Sequence, residues 1–174
     1  IATYPVKPYH ANEIVVSVGA KQAICNAIEA LIGPDDEVIM PTPCWVSYVE
    51  MVKIAQGKSV LVKTTMDNNF CLTAEQLEAA ITPNTKLLML CSPNNPTGSV
   101  YTLENLKALV QVLKCHPQVI VLADEIYQHI LYTGKHETLA QFPELEDRLI
   151  LINGVSKAFA MTGYRIGWLA CHDP

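Results

Sequence analysis

Seven short apolar runs, at 14–18, 37–40, 59–63, 86–91, 119–123, 149–153 and 166–171, are what most limits how this chain can fold. Most are continuous rather than alternating, the pattern of strands covered on both faces. Stretches of helical spacing lie between them. Residues 20–32 set Ile24, Ala27, Ile28 and Leu31 on one face. They run into Gly33 and Pro34, expected as a C-cap glycine followed by a proline stop. Residues 45–55 offer Val46, Val49 and Val52 ahead of Gly57. Thr73 and Gln76 form a capping-box pair before 77–81. Thr102 caps a helix carrying Leu103, Leu106, Leu109, Val110 and Leu113. Strands alternating with helices predict an α/β fold: a doubly wound, mainly parallel, seven-stranded sheet.

A chain of 174 residues, half of them hydrophobic and 17% charged, suits one domain around an extensively buried sheet. The net charge of −5 leaves no basic footprint for nucleic acid or an anionic membrane. No apolar run reaches the ~20 residues of a membrane span. The six cysteines are scattered without a Cys-x-x-Cys pair, which favours reduced thiols and a cytoplasmic setting. The five histidines are equally dispersed and give no metal spacing. The chain opens Ile1-Ala2-Thr3-Tyr4, with neither a Met nor a signal-peptide pattern, and is expected to be an excised piece of a longer protein.

Ligands of an open parallel sheet bind beyond the carboxyl ends of its strands. The first run leads to Gly19-Ala20-Lys21-Gln22, where a helix start offers free N–H groups to a phosphate. The second leads to Trp45, the fourth to Ser92-Pro93-Asn94-Asn95-Pro96-Thr97-Gly98, and the fifth to Asp124-Glu125-Ile126-Tyr127. The sixth leads to Ser156 and Lys157. Arg165 precedes the seventh; if that one strand is antiparallel, its start joins the same edge. Lys157 stands among small and apolar neighbours, where desolvation would disfavour its charged form and free its amine as a nucleophile. Each residue also has a plain structural reading. Gly19 serves as a strand-to-helix turn, Asp124 as an N-cap, Asn94 to Gly98 as turn chemistry, Trp45 and Tyr127 as core aromatics, and Lys157 as a packed stem with a solvated head.

Taken together, a phosphate cradle, a guanidinium, a carboxylate, a phenol, an aromatic plate and a lysine amine suit pyridoxal phosphate. The stretches Gly19 to Gln22, Pro43 to Tyr48, Ser92 to Gly98, Ala123 to Tyr127 and Ser156 to Arg165 arrive in the order and near the spacing of one family. The chain resembles the large domain of the aspartate aminotransferase family, subgroup I-beta, among the fold type I enzymes. That resemblance implies a Schiff-base lysine at Lys157, which also shuttles the substrate's Cα proton. It implies Asp124 on the pyridine nitrogen, and Tyr127 and Asn95 on O3′. Trp45 would stack on the ring and, with Asn95, line the substrate pocket. The phosphate would be held by the Gly19-Ala20-Lys21 backbone, Arg165 and Ser156. Many relatives carry Ser or Thr three residues before the lysine, where this chain has Gly154.

The resemblance further implies transfer of an amino group from an amino acid, aspartate first, to a 2-oxo acid, 2-oxoglutarate first. It implies a homodimer, with residues 1–174 forming the cofactor-binding large domain and both an N-terminal arm and a C-terminal small domain missing. An α-carboxylate calls for an arginine. This chain has only two, Arg165 and Arg148, and Arg148 is expected at the opposite edge of the sheet. Two alternatives stay open: another fold type I enzyme, such as a carbon–sulfur lyase or a cyclopropane-forming synthase, and a non-catalytic scaffold. A nucleotide-binding domain fits poorly, since no Gly-x-Gly-x-x-Gly or Walker-type loop follows the first run.

Overall fold

The structure is a computed structural model that describes residues 6–172, so the outer ends of the expected 1–174 domain lie outside the described residues. Its strands are β1 (Ile14–Val18), β2 (Glu37–Thr42), β3 (Lys58–Lys63), β4 (Thr85–Cys91), β5 (Ile120–Asp124), β6 (Leu149–Gly154) and β7 (Ile166–Ala170). The helices are α1 (Ala20–Leu31), α2 (Val46–Ile54), α3 (Ala74–Ala80) and α4 (Leu103–Cys115). The strands form one sheet in the order β1-β7-β6-β5-β4-β2-β3. β7 runs antiparallel to both its neighbours and every other pairing is parallel. This is the expected doubly wound sheet with one antiparallel strand.

Alternation along the central strands divides the core into two layers. On β4, Leu87, Met89 and Cys91 face α1 and α2, whereas Leu88 and Leu90 face α3 and α4. Both sets are buried, which is why the run reads as continuous in sequence. The helices begin as expected. Thr73 Oγ1 accepts from the Gln76 N–H at 3.2 Å while Gln76 Oε1 accepts from the Thr73 N–H at 3.1 Å. Thr102 Oγ1 accepts from the Asn105 N–H at 3.2 Å. Arg148 lies at the other end of the sheet, as expected. Its guanidinium donates to the carbonyls of Leu113, His116 and Val119 at 2.8, 2.8 and 3.1 Å, satisfying the exposed C-terminus of α4.

Two expectations fail. Gly33 is not a left-handed cap: α1 ends at an extended Ile32, and the positive φ of the following turn falls on Asp35, at 73°. The Asp36 carboxylate accepts from the Gly33 N–H at 2.9 Å and closes that turn instead. β1 is not covered on both faces either, since Val15, Val16 and Val18 are 52%, 70% and 58% exposed. It is an edge strand, paired only with β7, and an apolar composition does not say what lies against it.

Candidate active site

β5 ends on a carboxylate that the fold takes out of water. Leu122 faces the α1–α2 layer, and two residues on Asp124 points the same way, only 4% exposed. Its Oδ2 accepts from the Tyr48 hydroxyl at 2.6 Å and its Oδ1 from the Ile126 N–H at 3.2 Å. Among the described residues no cation forms an ion pair with it. Burial pushes its pKa up, against the pull of these two donors, and the neighbouring Glu125 charge adds to the rise. The effect is mutual within the cluster. Burial, then the Asp124 charge, pushes the Cys91 thiol up to about 12 and holds the Tyr48 phenol well above its ordinary value.

The start of α1 lies across the mouth of this region. Gly19, the N-cap, has φ 82° and ψ 160°, a conformation that favours glycine. A Cβ there would sit 2.4 Å from Arg165 Nη2, so the guanidinium rests directly on the first turn. The Ala20 and Lys21 N–H groups precede the first i−4 bonds of the helix and are free to meet an anion. Gly167 on β7 permits the close approach from below, because its Cβ would fall 2.2 Å from Ala20 N. Arg165 itself has φ 54° in the left-handed region, and its Nη1 donates to the Thr162 carbonyl at 2.9 Å. A non-glycine residue held there is uncommon, and such positions cluster at functional sites.

Between Asp124 and this turn opens a cavity of about 310 Å³. Its walls carry Ala20, Lys21, Trp45, Asn95, Asp124, Tyr127, Ser156, Lys157 and Arg165, all expected from sequence to converge; Gly19 sits just behind Arg165. Asn95 Nδ2 is 3.5 Å from the Tyr127 hydroxyl. Lys157 Nζ lies 5.7 Å from the centre of the Tyr127 ring. Trp45 meets Tyr48 edge-on at 5.4 Å and carries Lys21 Nζ 4.8 Å above its own ring.

The expected surroundings of Lys157 need correction. It is exposed rather than enclosed, because its apolar neighbours turn outward: Phe159 and Tyr164 are 60% and 69% exposed. Sequence neighbours in a tight turn do not enclose one another. Three contributors escaped the sequence reading. Tyr48 follows Trp45 by three residues on a helix, the spacing of side chains that share a face, and that was its available signal. Cys91, where β4 ends, could have been placed on the cavity wall by strand alternation. Gly167 left no signal beyond being a glycine inside a strand.

The sequence model of the family described as aminotransferase class I and II matches residues 2–174. The aspartate aminotransferase of Rhizobium meliloti is 49% identical over 162 residues, which is 92% of this chain and 40% of that protein. The crystal structure of the aspartate aminotransferase from Rhizobium meliloti superposes with a TM-score of 0.92 at 46% identity, over 95% of this chain and 42% of the other. An aromatic aminotransferase from Pyrococcus horikoshii superposes with a TM-score of 0.88 at 39% identity, over 91% and 42%. The chain thus spans about two fifths of the length of the relatives it matches. With almost every residue inside the family match and the sheet superposing on a solved member at close to half identity, this chain belongs to the class I and II aminotransferases.

Proposed function

We propose that this chain is the cofactor-binding large domain of a pyridoxal-phosphate-dependent aminotransferase that moves an amino group from an amino acid to a 2-oxo acid. One observation carries the reading: a buried carboxylate with no cation beside it among the described residues and an arginine-backed helix start line one cavity that also holds a lysine amine. The residues fit the group. A buried carboxylate of this kind is costly to ionise unless a positive charge arrives, and a protonated ring nitrogen is such a charge. The Arg165 guanidinium and the Ala20 and Lys21 amides offer donors suited to a phosphate.

When bound, pyridoxal phosphate supplies an aldehyde that condenses with amines and a ring that accepts the electrons of the substrate's Cα–H bond. The chain's own residues do the rest. Asp124 keeps the ring nitrogen positive, and Tyr48 keeps Asp124 in place. Tyr127 and Asn95 donate to the ring's hydroxyl oxygen, and the Trp45 face gives the ring a surface to stack on. Arg165 holds the phosphate with the turn at Gly19, and Ser156, on the same wall, adds a hydroxyl. Lys157 would present Nζ to the aldehyde, and as a free amine, displaced by the substrate's own amino group, Nζ would take up the Cα proton and return it. Proton transfer by a positioned base contributes roughly 10²–10⁴-fold.

Aspartate as donor and 2-oxoglutarate as acceptor are supported by the names of the relatives; aromatic donors are supported by the Pyrococcus horikoshii protein. The substrate's α-carboxylate needs a partner other than this chain's arginines, because Arg148 caps α4 and Arg165 faces the anion cradle. That partner is supplied by a further part of a longer protein, working as a homodimer. The scattered cysteines, two of them buried, support a reducing, cytoplasmic setting. Among the described residues no helix is long and apolar enough to cross a membrane. The test is product analysis on the longer protein with cofactor, an amino acid and a 2-oxo acid. Equal amounts of new amino acid and new 2-oxo acid are expected. Ammonia with an eliminated side chain would assign a lyase instead, and no turnover in a folded, cofactor-loaded protein would point to a scaffold.

A further inference from the structure

Trp45 and Asn95 reach the cavity from neighbouring strands that part before the site. β2 pairs with β4 only as far as Ile39 and Leu88. Beyond that point Met40, Pro41 and Thr42 pair with β3, while Met89, Leu90 and Cys91 pair with β5. A cavity of about 10 Å³ lies in the split, lined by Met40 and Pro43 from one side and by Met89 and Asn94 from the other. The sheet's own ladder therefore does not hold together the two loops that follow.

One side chain crosses the gap. Asn94 Nδ2 donates to the Pro43 carbonyl at 3.1 Å, and among the described residues this is the one hydrogen bond between the two loops. A proline carbonyl can only accept, so the amide meets it through its nitrogen. The same nitrogen also donates to Thr97 Oγ1 at 2.8 Å. Closing the loop does not require the side chain. The Asn94 N–H donates to the Ser99 carbonyl and the Asn94 carbonyl accepts from the Gly98 N–H, both at 2.8 Å. Each end of the crossing lies close to a cavity residue. Pro43 stands two residues before Trp45, the N-cap of α2, whose carbonyl accepts from the Tyr48 N–H at 3.1 Å. Asn94 adjoins Asn95.

We propose that Asn94 is a positioning residue that clamps the turn carrying Trp45 to the loop carrying Asn95, so that both hold one relative placement before a ligand arrives. A surface stacked on a ring and a donor to that ring's hydroxyl oxygen serve the same molecule only at a fixed offset, and a drift of about 1 Å is enough to spoil it. Asn94 does not line the cavity and acts through its neighbours. Its importance rests on the reading of Trp45 and Asn95 as cofactor contacts, but the clamp is tested first without cofactor, so the two can fail separately.

The chain is labelled with 5-fluorotryptophan; its two tryptophans give two fluorine resonances, and Trp168→Phe identifies that of Trp45. Asn94→Leu nearly keeps the size of the side chain and removes both donors. It is expected to shift and broaden the Trp45 resonance, while Thr97→Val, which removes only contacts inside the loop, leaves it in place. Pyridoxal phosphate is then added, and its affinity is read from Trp45 fluorescence in the Trp168→Phe background. A fall of about tenfold is expected in Asn94→Leu and none in Thr97→Val. An unmoved Trp45 resonance in folded Asn94→Leu, equal shifts in both variants, or full cofactor affinity in Asn94→Leu would overturn the proposal. Absence of cofactor binding in the unsubstituted chain would remove the functional reading instead, with the fluorine spectra still deciding the clamp. Should Asn94→Leu not fold, the unsubstituted chain decides. Its Asn94 side-chain amide protons are expected to exchange with solvent more slowly than those of the exposed Asn26 and Asn84, and equal exchange would overturn the clamp.

Discussion

The hydroxyl of Tyr48 and the carboxylate of Asp124 meet at 2.6 Å inside the protein, and their pairing defines the chemistry available at residue scale. Tyr48→Phe removes one of the two donors to a buried anion. Stability in urea is expected to fall by roughly 1–3 kcal/mol at pH 8. The loss shrinks at acid pH, where a protonated Asp124 no longer needs the donor. Asp124→Asn is expected to act in the opposite sense. The folded-state pKa of Asp124 is raised, so the native chain holds a proton that the unfolded chain releases above about pH 4. Its contribution to stability therefore declines as pH rises from there through the folded value. The asparagine variant loses that slope and becomes more stable than the parent by on the order of 1 kcal/mol at pH 8, while cofactor affinity drops. Unfolding curves at acid and alkaline pH read both variants; a parallel pH profile for parent and Asp124→Asn would refute the burial account of Asp124. Asp124 was visible in sequence as a carboxylate ending an apolar run. Tyr48 was not, because a tyrosine on an apolar helix face looks the same whether its hydroxyl meets a backbone carbonyl or a buried carboxylate. The exposure of Lys157 has a related cause: apolar neighbours in sequence enclose a lysine only if the backbone folds them over it.

At the scale of elements, two glycines hold one turn in different ways. Gly19→Ala puts a methyl against the end of the Arg165 side chain and strains a φ of 82°. The fold should survive, with pyridoxal phosphate affinity reduced about tenfold, since about 1.4 kcal/mol suffices for that. Gly167→Ala puts a methyl against the Ala20 backbone, which cannot swing aside. It is expected to cost about 2–3 kcal/mol of stability. Calorimetric titration with the cofactor and chemical denaturation separate the two outcomes; equal stability losses in both variants would contradict this division. The strands and caps were legible here because burial on both faces and capping-box chemistry write themselves into local sequence. Positions set by contact across the sheet, such as Gly167 beneath α1, were not, because nothing near them in the chain records what lies opposite.

For the whole molecule, the sheet order brings residues from the ends of five strands, and from the start of the one antiparallel strand, to a single edge. The convergence was readable as soon as parallel strands were inferred. The exposure of the β1 valines was not, since it depends on what is packed across the sheet rather than on neighbours in the chain. A ligand that binds only the folded chain stabilises it by mass action. Pyridoxal phosphate at a hundredfold excess over its dissociation constant should therefore add about 2.7 kcal/mol. Lys157→Ala should retain part of that gain through the phosphate and ring contacts. The role of Lys157 can be read covalently. The folded chain is incubated with pyridoxal phosphate and reduced with borohydride, and the modified residue is mapped by mass spectrometry. Labelling concentrated on Lys157 is the expected result; labelling on Lys21, on the surface lysines at large, or on none would contradict it.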